Sequence, residues 1–183
     1  MTNNEHKETY DLLVIGGGPA GMMAAGTAAA NGKKVLLLEK NAELGKKLKI
    51  TGGGRCNITN ATYDAHQLLP KFGKAENFLY STFSQFGVKD TFTFFESRGL
   101  PLVVEARDRA FPKTQKAEDV CRVMETYVMN KNVKILKKCP VIKIHADKTS
   151  GKILSVETVK GTYTAEKYLI ASGGASHTET GSA

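Results

Sequence analysis

Three glycines and one glutamate carry the spacing in this chain that most directly suggests chemistry. The glycines form Gly16-x-Gly18-x-x-Gly21, placed between the apolar run Asp11 to Ile15 and the Ala- and Met-rich stretch Met22 to Asn31. A buried parallel strand, a tight glycine turn and a helix are the expected order. In such a unit Gly16 permits the turn, Gly18 lets the backbone approach a diphosphate, and Gly21 lets the helix pack closely on the strand. The helix N-terminus then faces the anion. Glu39 closes a second apolar run, Val35 to Leu38, 18 residues beyond Gly21. A carboxylate there accepts hydrogen bonds from a ribose diol and disfavours a 2′-phosphate, which suits FAD or NAD better than NADP. A glycine turn in an unrelated α/β protein is the bland alternative.

Two further segments separate the dinucleotides. The stretch Leu44 to Asn60 holds Gly45, Gly52, Gly53 and Gly54 among Lys46, Lys47, Lys49 and Arg55. It has neither helical nor strand period. It reads as a structured loop with a short helical turn, whose main-chain N–H groups can approach an anion. Near the end, the apolar strand Tyr168 to Ala171 runs into Ser172-Gly173-Gly174, a small-residue strand end that allows close approach to a cofactor.

The elements that position these residues follow from periodicity. Apolar residues at 75, 78, 79, 83 and 86 mark one helix, Asp90 to Arg98 a second, and 117, 120, 121, 124, 127 and 128 a third. Residues 103 to 113 show mixed charge and no period. Val133 to Leu136, Val141 to Ile144, Ile153 to Val159 and Tyr163 to Ala165 read as a strand followed by an antiparallel meander, with turns between them. The expected class is α/β: a Rossmann-like domain with a parallel sheet and a β-meander. With no linker visible, residues 1–183 read as one unit.

These motifs carry a family resemblance. Val14 to Gly21, Gly32-x-x-Val35 and Leu38-Glu39 resemble the FAD fingerprint of the glutathione-reductase superfamily. The run Leu44 to Asn60, with Thr51-Gly52-Gly53-Gly54-Arg55-Cys56-Asn57 at its centre, is more specific. It resembles the bacterial FAD-dependent oxidoreductases labelled aminoacetone oxidase-like or BaiN-like, among them bile-acid reductases. The resemblance implies FAD held by Gly16, Gly18, Pro19, Ala20 and Gly21 at the pyrophosphate, and by Glu39 and Lys40 at the adenosine ribose. It implies that Lys47 and Thr51, Gly52, Gly53, Gly54, Arg55, Cys56 and Asn57 line the pyrophosphate, ribitol and flavin side. Val141 would meet adenine through its backbone, and Ser172 and Gly173 match a second cofactor motif.

Alternatives stay open at two of these residues. Arg55 is either a cofactor contact or the partner of a local acid. Cys56 is either a redox thiol or a small buried residue. With one cysteine in this region, the dithiol relay of the disulfide reductases is disfavoured. The phenylalanines at 92, 94 and 95 read as core before substrate box, and no histidine is assignable as acid or base. His177 stands where the family tends to carry an aromatic residue.

Composition narrows the rest. The chain has 183 residues, 26 Lys+Arg against 18 Asp+Glu, and a net charge of +8. The basic residues are spread from Lys33 to Lys167 and do not interleave with aromatics, so a solvated surface is favoured over a nucleic-acid site. Three cysteines at 56, 121 and 139 and four scattered histidines argue against disulfides and metal sites. No stretch has signal-peptide or membrane-span character, so a cytoplasmic setting is expected.

The family continues through a second domain and returns to complete its FAD domain with a Gly-Asp motif. The resemblance therefore implies an N-terminal portion of an FAD-binding domain, without the substrate domain or the last FAD-domain segment, and a missing C-terminal polypeptide as partner. The expected function is hydride passage through flavin, from NADH or NADPH, to an unidentified small organic substrate or oxygen. A truncated, non-catalytic FAD- or nucleotide-binding module and a tRNA-modifying flavoprotein are the alternatives.

Overall fold

The computed structural model describes residues 9–174. The positions of His6, His177 and the Thr180-Gly181-Ser182 run lie outside the described residues. Within 9–174 the order is β1 (Thr9–Ile15), α1 (Pro19–Ala30), β2 (Val35–Leu38), α2 (Lys46–Ile50), β3 (Thr59–Asn60), α3 (Ala65–Leu68), α4 (Glu76–Gln85), α5 (Val88–Glu96), β4 (Leu102–Glu105), β5 (Arg109–Pro112), α6 (Ala117–Val128), β6 (Val133–Leu136), β7 (Val141–Ala146), β8 (Ile153–Thr158) and β9 (Gly161–Ile170). The chain forms two compact units, one from residues up to Leu48 together with those from Met124 on, the other from Lys49–Val123.

The first unit is built on a six-stranded sheet in the order β6-β2-β1-β9-β8-β7. β1 lies between β2 and β9, parallel to both. β2 is parallel to β6. β2 is a short, purely apolar run, as expected where both faces of a parallel sheet are covered. Val35, Leu36, Leu37 and Leu38 are all fully buried or nearly so. Tyr10, Leu13, Leu36 and Leu38 join Cys139 and Val156 in one core cluster. Val14 belongs to the other face, where its Cγ1 lies under Gly21 of α1.

β9 corrects one sequence expectation. Tyr163 to Ala165 and Tyr168 to Ala171 read as two strands, but a single ten-residue strand spans both. Its first residues pair antiparallel with β8 (Val156 opposite Tyr163) and its later ones parallel with β1 (Ile15 opposite Ile170). The exposed pair Glu166 and Lys167 interrupts the apolar pattern without interrupting the backbone.

The second unit holds α3 to α5 and a three-stranded antiparallel sheet, β3-β5-β4. That sheet was not expected. Its β4–β5 connection, Ala106–Asp108, is turned by Arg107 (φ 65°) and Asp108 (φ 55°). Left-handed turns usually announce themselves by Gly or Asn, so charged residues there hid the hairpin. Phe94 and Phe95 are buried and meet edge to face at 5.1 Å, in accord with the core reading.

Candidate functional site

The carboxyl ends of β1, β2 and β9 open into a cleft of about 400 Å³. The strand order places it where the chain switches sides: β2 and β6 lie to one side of β1, β9 to the other. Open α/β sheets bind ligands at such switch points. Its walls include Gly16, Gly18, Pro19, Ala20, Glu39, Lys40, Lys47, Val141, Ser172 and Gly173. Of the sequence-derived candidates belonging to this unit, only Gly21 is not in the wall. Its place is behind it, where a Cβ would stand 1.9 Å from the Gly16 carbonyl oxygen. Only a residue without a side chain lets α1 start this close to the turn.

The turn itself is shaped for an anion. α1 begins at Pro19 with Gly18 as its cap, no side chain caps it, and its first turn holds no acidic residue. A helix N-terminus left this way offers main-chain N–H groups and partial positive charge. A Cβ on Gly18 would meet nothing within 4 Å, so the backbone there faces open cleft. Lys40, Lys46 and Lys47 line the same space, and Lys47 Nζ donates to the Gly174 carbonyl at 2.9 Å.

Glu39 sits at the end of β2, 7% exposed. Its Oε2 accepts from the Gly17 N–H at 2.7 Å, and its Oε1 accepts from both the Asn41 N–H and Asn41 Nδ2, each at 2.7 Å. The carboxylate thus ties the β1–α1 turn to the loop after β2. Gly17 leaves room for its neighbours: a Cβ there would stand 2.4 Å from Leu44 Cδ2 and 3.0 Å from Glu39 Oε2, and Leu44 would have to shift. These features fit a dinucleotide diphosphate and ribose: open backbone at Gly18, an uncapped helix start, three lysines and a carboxylate acceptor.

The run Thr51 to Asn57 belongs to the second unit. Thr51–Gly54 is a turn of 3-10 helix with Gly52, Gly53 and Gly54 at positive φ. A Cβ on Gly52 would come within 2.9 Å of the Asn57 nitrogen. With its amide nitrogen turned inward, Asn57 donates to the Thr59 and Ala110 carbonyls at 3.2 Å each. The Arg55 guanidinium donates to Glu105 Oε1 at 3.1 Å and Gln115 Oε1 at 2.8 Å, and lies 4.2 Å from the Phe111 ring centre. Its charge therefore has a local acid, the alternative that the sequence left open. Cys56 is buried, and burial pushes its thiol up while a Thr51 hydrogen bond pulls it back. That environment disfavours a reactive thiolate.

Sequence reasoning missed Gly17, Asn41, Cys139 and Pro140, all but Gly17 in the cleft wall, and named Gly45 and Lys46 only within the loop that can approach an anion. Gly17 and Asn41 had one available signal. A glutamate expected to be buried at a strand end needs donors, and Asn41 is the first amide side chain after it. Among the described residues no His, Cys, Asp and Glu cluster could hold a metal ion. His145 Nε2 pairs with Glu157 Oε2 at 2.9 Å across β7 and β8, and His66 Nδ1 with the Tyr80 hydroxyl at 3.2 Å.

Residues 10–183 match the family described as HI0933-like protein Rossmann domain. A 3-dehydro-bile acid delta(4,6)-reductase of Clostridium scindens is 31% identical over 171 residues, covering 92% of this chain. The ribosomal RNA dihydrouridine synthase of Escherichia coli is 27% identical over 169 residues, also covering 92%. The chain spans 40% of the length of each of these relatives. Among solved structures, the 3-ketosteroid-delta4-(5alpha)-dehydrogenase of Rhodococcus jostii superposes on 94% of this chain and 47% of its own, with a TM-score of 0.69 at 16% identity. Similarity at that identity speaks to fold alone.

Proposed function

The chain belongs to the HI0933-like Rossmann-domain family and is an FAD-binding Rossmann domain, and on that premise we propose how it holds the cofactor and what the whole protein does with it. Gly18 at the start of α1 would hold the pyrophosphate, and Lys40, Lys46 and Lys47 would offset its charge. Glu39 accepts from the adenosine ribose. Val141, at the first position of β7, presents its backbone to adenine. Ser172 and Gly173 close the cleft from the β9 side. The observation that carries this reading is the cleft itself, in which an uncapped helix start and a carboxylate acceptor share one wall.

Both relatives are named for additions of hydrogen across a carbon–carbon double bond. We propose the same class for the whole protein: reduction of an unsaturated small organic molecule, with NADH or NADPH as electron source. Bound FAD would supply a two-electron redox centre between a nicotinamide donor and the substrate or oxygen. The residues of this chain bind and orient the cofactor and set its electrostatics. The setting we propose is cytoplasmic, in keeping with three cysteines that form no disulfide with one another. Among the described residues no helix is long and apolar enough to cross a membrane.

A visible spectrum of the purified chain tests the cofactor reading. Near-stoichiometric flavin, native or after reconstitution with FAD, supports it. A colourless protein that takes up no FAD overturns it. Nicotinamide oxidation with an unsaturated ketone as acceptor tests the reaction class, and FAD uptake without turnover leaves a binding module. An RNA substrate is the second reading, favoured by the Escherichia coli relative and the net charge of +8. It requires RNA binding that survives moderate salt, where purely electrostatic association collapses.

A further inference from the structure

We propose that Asn41 is a positioning residue of the cleft, holding the Glu39 carboxylate so that it accepts one ribose hydroxyl, at Oε2. The proposal rests on the reading of Glu39 as the ribose acceptor. A carboxylate as deeply placed as Glu39 has to be met by hydrogen-bond donors. Gly17 supplies one at Oε2, while Asn41 supplies two at Oε1, from its main chain and its side chain, all at 2.7 Å. The carboxylate fixes the orientation of the Asn41 amide, since the amide oxygen turned toward Glu39 would set acceptor against acceptor.

A carboxylate has about four lone-pair sites. Asn41 fills the two on Oε1 and Gly17 fills one on Oε2. The site left over is on the oxygen that faces the β1–α1 turn, where the diphosphate reading puts the ligand. The platform beneath is rigid. The Asn41 carbonyl accepts from the Lys138 N–H at 2.9 Å, and the Glu39 carbonyl accepts from the Cys139 N–H at 2.9 Å. Two consecutive links to the β6–β7 connection thus hold the Glu39–Asn41 segment in place. Asn41 also lines the cleft, so its side chain acts within the ligand's own compartment.

The test is FAD affinity, read by quenching of flavin fluorescence, with thermal melting of each apo variant as the control for folding. Asn41→Ala is expected to weaken FAD about tenfold, the loss of one hydrogen bond to a charged group. The same change in a Glu39→Gln background is expected to weaken it less than twofold. Conservative variants separate donor from shape. Asn41→Ser keeps a side-chain donor and should fall within about threefold of the native affinity, whereas the isosteric Asn41→Asp loses the donor and should bind no better than Asn41→Ala. The hydroxyl count is read with FAD analogues lacking the adenosine 2′- or 3′-hydroxyl. The penalty for one should vanish in Glu39→Gln and the penalty for the other persist.

A native chain that binds no FAD overturns both this proposal and the cofactor reading. Native FAD binding with an undiminished Asn41→Ala effect in Glu39→Gln, or with Asn41→Asp ranking nearest to native, overturns the proposal alone. Loss of both hydroxyl penalties in Glu39→Gln overturns the single-hydroxyl count.

Discussion

Gly16 and Ala171 meet main chain to main chain: a Cβ on Gly16 would lie 2.4 Å from the Ala171 carbonyl oxygen. The Ala171 N–H in turn donates to the Ile15 carbonyl at 2.8 Å, carrying the β1–β9 pairing up to the edge of the cleft. Gly16 also holds a φ of 108°. Gly16→Ala therefore combines backbone strain with a clash against backbone that cannot rotate away. It should cost on the order of 2 kcal/mol or more, seen as a lower urea midpoint, and abolish FAD uptake. A variant with the native midpoint would contradict this account of the turn.

Arg55 and Glu105 should behave as a coupled pair. Their side chains are 39% and 31% exposed, so solvent screening limits the interaction to about 0.5–1 kcal/mol. A double-mutant cycle of Arg55→Ala and Glu105→Ala on thermal stability should return a coupling of that size. Fully additive losses would place the worth of Arg55 elsewhere, for example in its stacking on Phe111.

All three thiols are buried, with exposures of 1–2%. An aromatic disulfide reagent at pH 7.5 should therefore modify the native protein far more slowly than the urea-unfolded chain. Burial raises the Cys56 thiol above its ordinary value, so its thiolate fraction is lower than that of an exposed cysteine near neutral pH. Its modification should accelerate only on the alkaline side of the usual thiol range. Fast labelling of Cys56 at pH 7 would restore the redox-thiol reading.

Asp147 caps the β7–β8 turn. It accepts from the Ser150 N–H at 2.7 Å, the Ser150 hydroxyl at 2.8 Å and the Thr149 N–H at 3.1 Å. The Ser150 bonds are the main reason its carboxyl is held below the ordinary 3.8. A depressed folded value contributes stability above the unfolded value, and that contribution is lost as pH falls through the folded one. Carbon-13 titration of the carboxyl should give a midpoint below 3.8. Asp147→Ala should be closer to the native protein in melting temperature at pH 2.5 than at pH 6.

The β1–α1–β2 unit was legible because local and tertiary demands agree there. The apolar runs are short and pure, and each glycine does a different steric task. α6 was legible from its apolar spacing, since Ala117, Val120, Cys121, Met124 and Val128 are all buried. The second sheet was not, because Arg107 and Asp108 take left-handed backbone that charged residues seldom adopt. β9 was read as two strands because a mixed strand that joins a meander to a parallel sheet has no single side-chain pattern. Most of the cleft wall was legible as glycines, lysines and one acid. Asn41 was not, since its part depends on how deeply Glu39 is buried, and burial depth is a property of the fold.

The pairing of β9 with β1 also sets the order in which this unit can be completed during synthesis. β1 leaves the ribosome ahead of both its neighbours, and the one on one side, β2, follows within a few dozen residues. Its neighbour on the other side emerges only after β8, nearly the whole chain later. Until then one edge of the central strand has unpaired N–H and C=O groups, a template for wrong partners. Closing so distant a contact is also slow. The nascent chain consequently carries α1 and the glycine turn long before it has a cleft, and any cofactor must wait for Ala171 and Ser172.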